Sequence, residues 1–176
     1  MDSQEFVERN IILLLGQDEM GATLTHLQKE MFALSEIKGD LKEDLNFEKH
    51  YLGPYSRVIS ETVQSPSYFS DMFGFEGGRI FLSDSGKRIY EEMLKDNLGN
   101  EEFLIFISSL KVLRKIYESL SERELLFLVY ETYPEYKKNS AISDSLLREP
   151  RRSRILSSLL RKEIITEERF KELENG

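Results

Sequence analysis

His26 and His50 are the only two histidines in the chain, and imidazole is the side chain best suited to acid–base work or metal ligation near neutral pH. Neither has a second histidine at helical or hairpin spacing, so the pairing that would put two imidazoles on one metal is missing. Ser56 could act as a nucleophile only with a base brought from elsewhere. The 32 Asp and Glu side chains make any triad drawn from sequence arbitrary. There is no cysteine, which excludes disulfides, thiolate zinc sites and cysteine catalysis together. Gly74-Phe75-Glu76-Gly77-Gly78 lacks the Lys-Ser/Thr that completes a phosphate loop. Its paired glycines suit the positive φ angles of a hairpin tip instead. The expectation is a chain that is not an enzyme, with no catalytic residues, metal site or cofactor.

Charge and aromatic side chains offer a different chemistry, that of binding. Arg148, Arg151, Arg152 and Arg154 fall close together, and Arg161 and Lys162 follow. Ile155, Leu156, Leu159 and Leu160 mark the buried side of the helix that carries them, so the cations are expected to face largely outward. There they could meet phosphates or an acidic protein surface, including the acidic half of another copy. Glu149, Glu163, Glu167 and Glu168 could equally balance them on a solvated helix face. Phe32, Tyr51 and Tyr55 could line a groove, although most aromatics at this density pack in a core.

The elements that must position these residues follow from caps and periodicity. Asp2 with Glu5 reads as a capping box opening a helix that Gly16 ends. Thr23 caps a second helix, bearing Leu24, Leu27, Met31, Phe32 and Leu34, which Gly39 closes. After a charged stretch, Asn46 to Leu52 alternates as a short extended segment, and Gly53-Pro54 turns into a third helix running from about Pro54 to Gln64. Phe69 to Phe75 and Arg79 to Leu82 read as a hairpin around Gly77-Gly78. Ser83 caps the helix that follows. This order predicts a winged-helix-like region over residues 1–98. Its reading helix, with Val58, Ile59, Thr62 and Val63 inward, would show Arg57, Ser60, Glu61 and Gln64 outward.

Residues 99–176 read as a helical region ending in a helical hairpin. Phe103, Phe106, Leu110, Leu113, Tyr117 and Leu120 alternate in steps of three and four, a seam that docks on the rest of the chain or pairs with a second copy. Ser121 with Glu124 forms a capping box, and Tyr133-Pro134 ends that helix. Tyr136 to Asp144 reads as polar loop. Pro150 opens a helix through about Lys162, and Thr166 caps a last short one. The two regions together predict one compact, mainly α unit with a small β-hairpin.

The chain has 176 residues, 24 Lys and Arg, and a net charge of −8. Residues 1–98 carry 10 basic and 18 acidic side chains, whereas residues 99–176 carry 14 of each. All the excess acidity therefore lies in the half with the winged-helix order, where DNA contact would be expected and where a polyanion is repelled. The acidic start does not resemble a signal peptide. The apolar run of residues 11–15 is far short of the roughly 20 residues a membrane span needs. A cytoplasmic protein without membrane contact is expected.

Two motifs resemble a known family. His26 to Leu34, with Gln28, Lys29 and Phe32, is similar to an "LQK-x-x-F" helix, and Tyr51-Leu52-Gly53-Pro54-Tyr55-Ser56 is similar to a "Y-x-GPYS" turn. Both are hallmarks of the Panacea domain, the SocA-like antitoxin group, and of related uncharacterised archaeal and bacterial proteins. Phe81 to Lys87 resembles the family's "L-T-x-x-G-K" passage, and Tyr133 to Tyr136 its later "Y-P-E-Y". The resemblance implies a helical, winged-helix-like fold and a protein-binding role, in which antitoxins neutralise a toxin or deliver it to a protease. It implies no catalytic residues. It marks Gln28, Lys29, Phe32, Tyr51, Gly53, Pro54, Tyr55 and Ser56 as a structural signature or an interaction surface. Residues 159–170 resemble the appended helical hairpin of SHOCT-type segments. The function expected is that of a non-catalytic, antitoxin-like regulatory module that binds a protein, with a homodimer as one assembly it could form. The alternative is a winged-helix DNA-binding transcriptional regulator using the C-terminal arginines.

Overall fold

In the computed structural model, residues 2–138, 140 and 142–175 are described. Helix α1 (Ser3–Leu15) starts on Asp2, whose carboxylate accepts from the Gln4 amide at 2.8 Å. The capping box expected with Glu5 does not form. Glu5 instead pairs with Arg9 one turn on, at 2.9 Å, where a cationic donor competes well against a backbone amide. Val7, Ile11, Ile12 and Leu14 are wholly buried, so α1 is the central helix of the first core.

Strand β1 (Ala22–Thr23) leads into α2 (Leu24–Ile37), capped by the Thr23 hydroxyl accepting from the His26 amide. Gly39 does not close α2, as expected, but opens a further helix, α3 (Gly39–Leu45). The charged stretch hides this helix because only Leu41 and Leu45 are apolar. They stand one turn apart and both are fully buried, which is enough to dock it. Strands β2 (Glu48–His50) and β3 (Gly53–Tyr55) then form an antiparallel hairpin with Lys49 opposite Pro54.

Pro54 thus lies in a strand and not at the first position of the third helix. A two-stranded hairpin has free edges, where a residue without an N–H is tolerated. Helix α4 (Arg57–Gln64) begins after Ser56, whose hydroxyl accepts from the Ile59 amide. Strand β4 (Phe73–Glu76) starts four residues later than the expected Phe69. The cause is Glu8, a buried carboxylate on α1 that accepts from the amides of Ser67, Tyr68 and Phe69 and so removes them from strand pairing. Strand β5 (Arg79–Leu82) completes a three-stranded antiparallel sheet of order β1–β5–β4. Gly77 and Gly78 form its tip with φ of 57° and 76°, the left-handed pair that a tight hairpin turn requires. Ser83 caps α5 (Asp84–Asp96).

This is a winged-helix order with α3 and the β2–β3 hairpin inserted ahead of α4. The remainder is helical: α6 (Glu101–Glu118), α7 (Glu122–Thr132), a 3-10 turn (Pro134–Tyr136), α8 (Ser143–Leu147), α9 (Arg151–Arg161) and α10 (Glu167–Asn175). Both arms of the capping box of α7 are present, between Ser121 and Glu124. Helix α8 starts inside the stretch expected to be loop, held by buried Leu146; Asn139 and Ala141 of that stretch lie outside the described residues. The seam of α6 turns inward. Leu110 and Leu120 are buried, and Phe103, Phe106, Leu113 and Tyr117 pack half-buried on two adjoining cores. The second of these gathers α7 to α10 around Phe127 and Tyr130, with Phe32 of α2 as its link to the first half. No helix among the described residues is long and apolar enough to cross a membrane.

Candidate functional site

The signature residues divide sharply into an inner and an outer set. Gln28 is buried and clamps the start of α4: its Oε1 accepts from the Ser56 amide at 2.8 Å, and its Nε2 donates to the Ser56 carbonyl at 2.8 Å and to the Ser60 hydroxyl at 3.1 Å. Ser60, expected on the outer face of the reading helix, is therefore turned inward. Ser56 also donates its hydroxyl to the Leu45 carbonyl at the end of α3. One residue later in α2, Lys29 sends a buried ammonium to the Pro54 carbonyl at 2.8 Å. Burial pulls this ammonium down to about 8, while the Glu122 carboxylate pushes back. Gly53 holds φ of 80° against Tyr130 and Val129 of α7. Phe32 is buried edge-on to Phe47, Tyr133 and Tyr136, with ring centroids 4.9 to 5.5 Å apart.

These inner bonds fix a hairpin whose outer side is aromatic. The His50 ring lies 4.0 Å from Tyr51 and 4.8 Å from Tyr55, the latter stacked. Tyr51 is 53% exposed. Beside it, the outer face of α4 shows Arg57 and Glu61 paired at 2.7 Å, with Gln64 next to them. The reading helix thus carries one arginine that is already neutralised, a poor set of groups for phosphates. The cavity beneath Phe32, about 170 Å³ between α2, α6 and α7, is lined by apolar side chains and does not include Tyr51 or Tyr55.

His26 is a core residue with both ring nitrogens engaged, Nδ1 with the Thr23 hydroxyl and Nε2 with the Leu120 carbonyl, each at 2.9 Å. Among the described residues no group of three or more His, Asp or Glu side chains is placed to hold a metal ion.

Five of the six C-terminal cations are exposed, as expected, but most are already engaged by neighbours. Arg152 turns in, pairing with Glu131 at 3.3 Å, donating to the Leu173 carbonyl and lying over the Phe127 ring. Lys162 reaches Glu124 at 2.7 Å and the Ser119 carbonyl at 2.8 Å. Burial pushes the Glu124 carboxyl up, but hydrogen bonds from Lys162, Ser158 and Ser121 outweigh it and hold it at about 2. Arg148 pairs with Asp144 and Arg151 donates to Ser145. Only Arg154 and Arg161 of the six are exposed without an ion pair or hydrogen bond among the described residues.

Sequence reasoning passed over the most heavily charged site in the molecule. Arg114, 1% exposed on α6, donates to Glu30 at 2.6 Å, to Asp18 at 3.1 Å and to the Gly21 carbonyl at 2.8 Å. Arg79, next to the tip of the β4–β5 hairpin, shares Gly21 with it and forks onto Glu118 at 2.6 and 2.7 Å. One Glu30 oxygen, Oε2, has no hydrogen-bond partner. Burial pushes the Glu30 carboxyl up to about 7, opposed by Arg114 and assisted by Asp18 and Glu118. The one sequence signal was an arginine at a helix position flanked by the seam residues Leu110 and Leu113, a place where a charge must find partners. Against protein-family models, curated proteins and solved structures, this chain gives no match.

Proposed function

We propose that this protein is a non-catalytic regulatory module that works by binding another protein, in the manner of an antitoxin. The observation that carries the reading is the β2–β3 hairpin: buried Lys29 bonds its Pro54 carbonyl, buried Gln28 clamps Ser56 just after it, and it presents His50, Tyr51 and Tyr55 outward. Rigid, half-exposed aromatics are the groups that anchor protein interfaces, because they bury much area at low cost in side-chain entropy. Their motifs are also those that resemble the Panacea family, whose members neutralise toxins by contact. Capture on the immobilised chain from native-host lysate, followed by rebinding of the purified captured protein, tests this. One protein that rebinds stoichiometrically to wild type and about a hundredfold more weakly to Tyr51→Ala with Tyr55→Ala supports it. Retention of a specific DNA fragment and of no protein overturns it.

A DNA-binding regulator is the second reading, and the outward Arg154 and Arg161 are what favour it. In that case DNA affinity falls steeply with salt, and replacing both arginines with glutamate abolishes it.

A further inference from the structure

Helix α6 buries its heptad seam, yet its other side is apolar as well. Leu104, Ile105, Val112 and Ile116 are 42%, 61%, 59% and 40% exposed, the densest run of large exposed apolar side chains on any helix. Ile116 edges the cavity beneath Phe32, and Leu104, Ile105 and Val112 form an open, shallow surface with Ser108 and Ser109. The two serines at its centre are small, and their hydroxyls are already used, Ser108 donating to the Leu104 carbonyl and Ser109 to that of Ile105. They therefore present methylene surface and let another backbone come close. None of the other described residues covers the face.

We propose that a second copy of this chain covers it, the two α6 helices packing antiparallel about Ser108. The layout of charge selects that occupant and that direction. Glu101 stands seven residues before Ser108 and Lys115 seven residues after it, so all three lie on one stripe, two turns apart. Both Glu101 and Lys115 are exposed and make no ion pair within the described residues. In an antiparallel pair each Glu101 meets the other copy's Lys115, while Leu104 and Ile105 meet Val112. A parallel pair would set glutamate on glutamate and lysine on lysine. A twofold interface must be self-complementary, and this stripe is so in one direction only. The interface is independent of the aromatic hairpin and does not rest on the partner-binding reading.

Sedimentation velocity on the full chain over about 1–300 µM tests the assembly. Wild type is expected to dimerise, and Val112→Lys, with an unchanged far-ultraviolet spectrum, to bind itself about a hundredfold more weakly. Glu101→Lys and Lys115→Glu each weaken the dimer about tenfold, and mixing the two variants restores it, since every facing pair is then again opposite in sign. Because the chain has no cysteine, single cysteines report direction. Ser108→Cys cross-links to itself. Glu101→Cys does not, because its two copies lie about 21 Å apart along an antiparallel pair, but it links to Lys115→Cys when the two are mixed. A wild type that stays monomeric throughout, a Val112→Lys variant that dimerises as well as wild type, or self-linking of Glu101→Cys overturns the proposal.

Discussion

Glu30 sits in an environment far from what its chemistry prefers. A carboxylate buried with one oxygen unpartnered gains from Arg114 but loses its hydration, and the loss dominates, leaving its carboxyl at about 7 in place of 4.5. Between those two values the folded protein keeps a proton that the unfolded chain has released. The Glu30 contribution to stability is therefore most favourable below about 4.5 and falls as pH rises to 7. Glu124 does not interfere, because its depressed carboxyl exerts its pH effect below 4.5. Urea midpoints between pH 4.5 and 7.5 should fall for wild type and stay level for Glu30→Gln. Parallel profiles for the two proteins would refute the assignment.

Among the elements, the β2–β3 hairpin depends most on one backbone conformation. Its two-residue turn places Gly53 at φ of 80°, and a Cβ there would sit 3.5 to 3.6 Å from Lys29, Tyr130 and Val129, an ordinary contact. Space is thus not the obstacle; the left-handed backbone is. Gly53→Ala should cost about 1 kcal/mol in urea unfolding. A cost near zero would show that the turn relaxes to negative φ. The turn was legible from Gly53-Pro54, but the partners of its strands were not, because Lys29 and Gln28 act across 25 and 28 residues. Helix caps were legible almost throughout, at Thr23, Ser83, Ser121 and Thr166, since a cap is a matter of two or three neighbouring residues.

In the molecule as a whole, Arg114 is the tie between halves of unlike charge. It joins α6 to Asp18 and Glu30, 96 and 84 residues earlier in the chain, and together with Arg79 fastens the sheet to α6. Arg114→Leu would strand Glu30 in a dry site and should cost about 3–5 kcal/mol. Adding Glu30→Gln should recover a good part of that loss, since a neutral amide needs no counter-charge. Strictly additive costs in a double-mutant cycle by urea unfolding would show that the two do not act as a unit. The net charge of −8 comes from the first half, but it conceals Arg114 of the second half, buried against Asp18 and Glu30 of the first.

Local chemistry thus set the elements: side-chain caps, the Gly77-Gly78 tip, the capping box of α7 and the apolar stripes each need only residues within one turn of each other. Packing settled which way polar and apolar side chains face. Ser60 is expected to face outward, and Gln28, Lys29 and Arg114 are polar too, yet all four are buried because partners distant in sequence satisfy them. Leu104, Ile105 and Val112 lie outside the seam read from sequence and are apolar, yet are exposed because the opposite face of α6 already fills the space between the two cores. Burial is a property of what arrives from elsewhere in the chain, and a helix with two apolar faces carries no local signal for choosing between them.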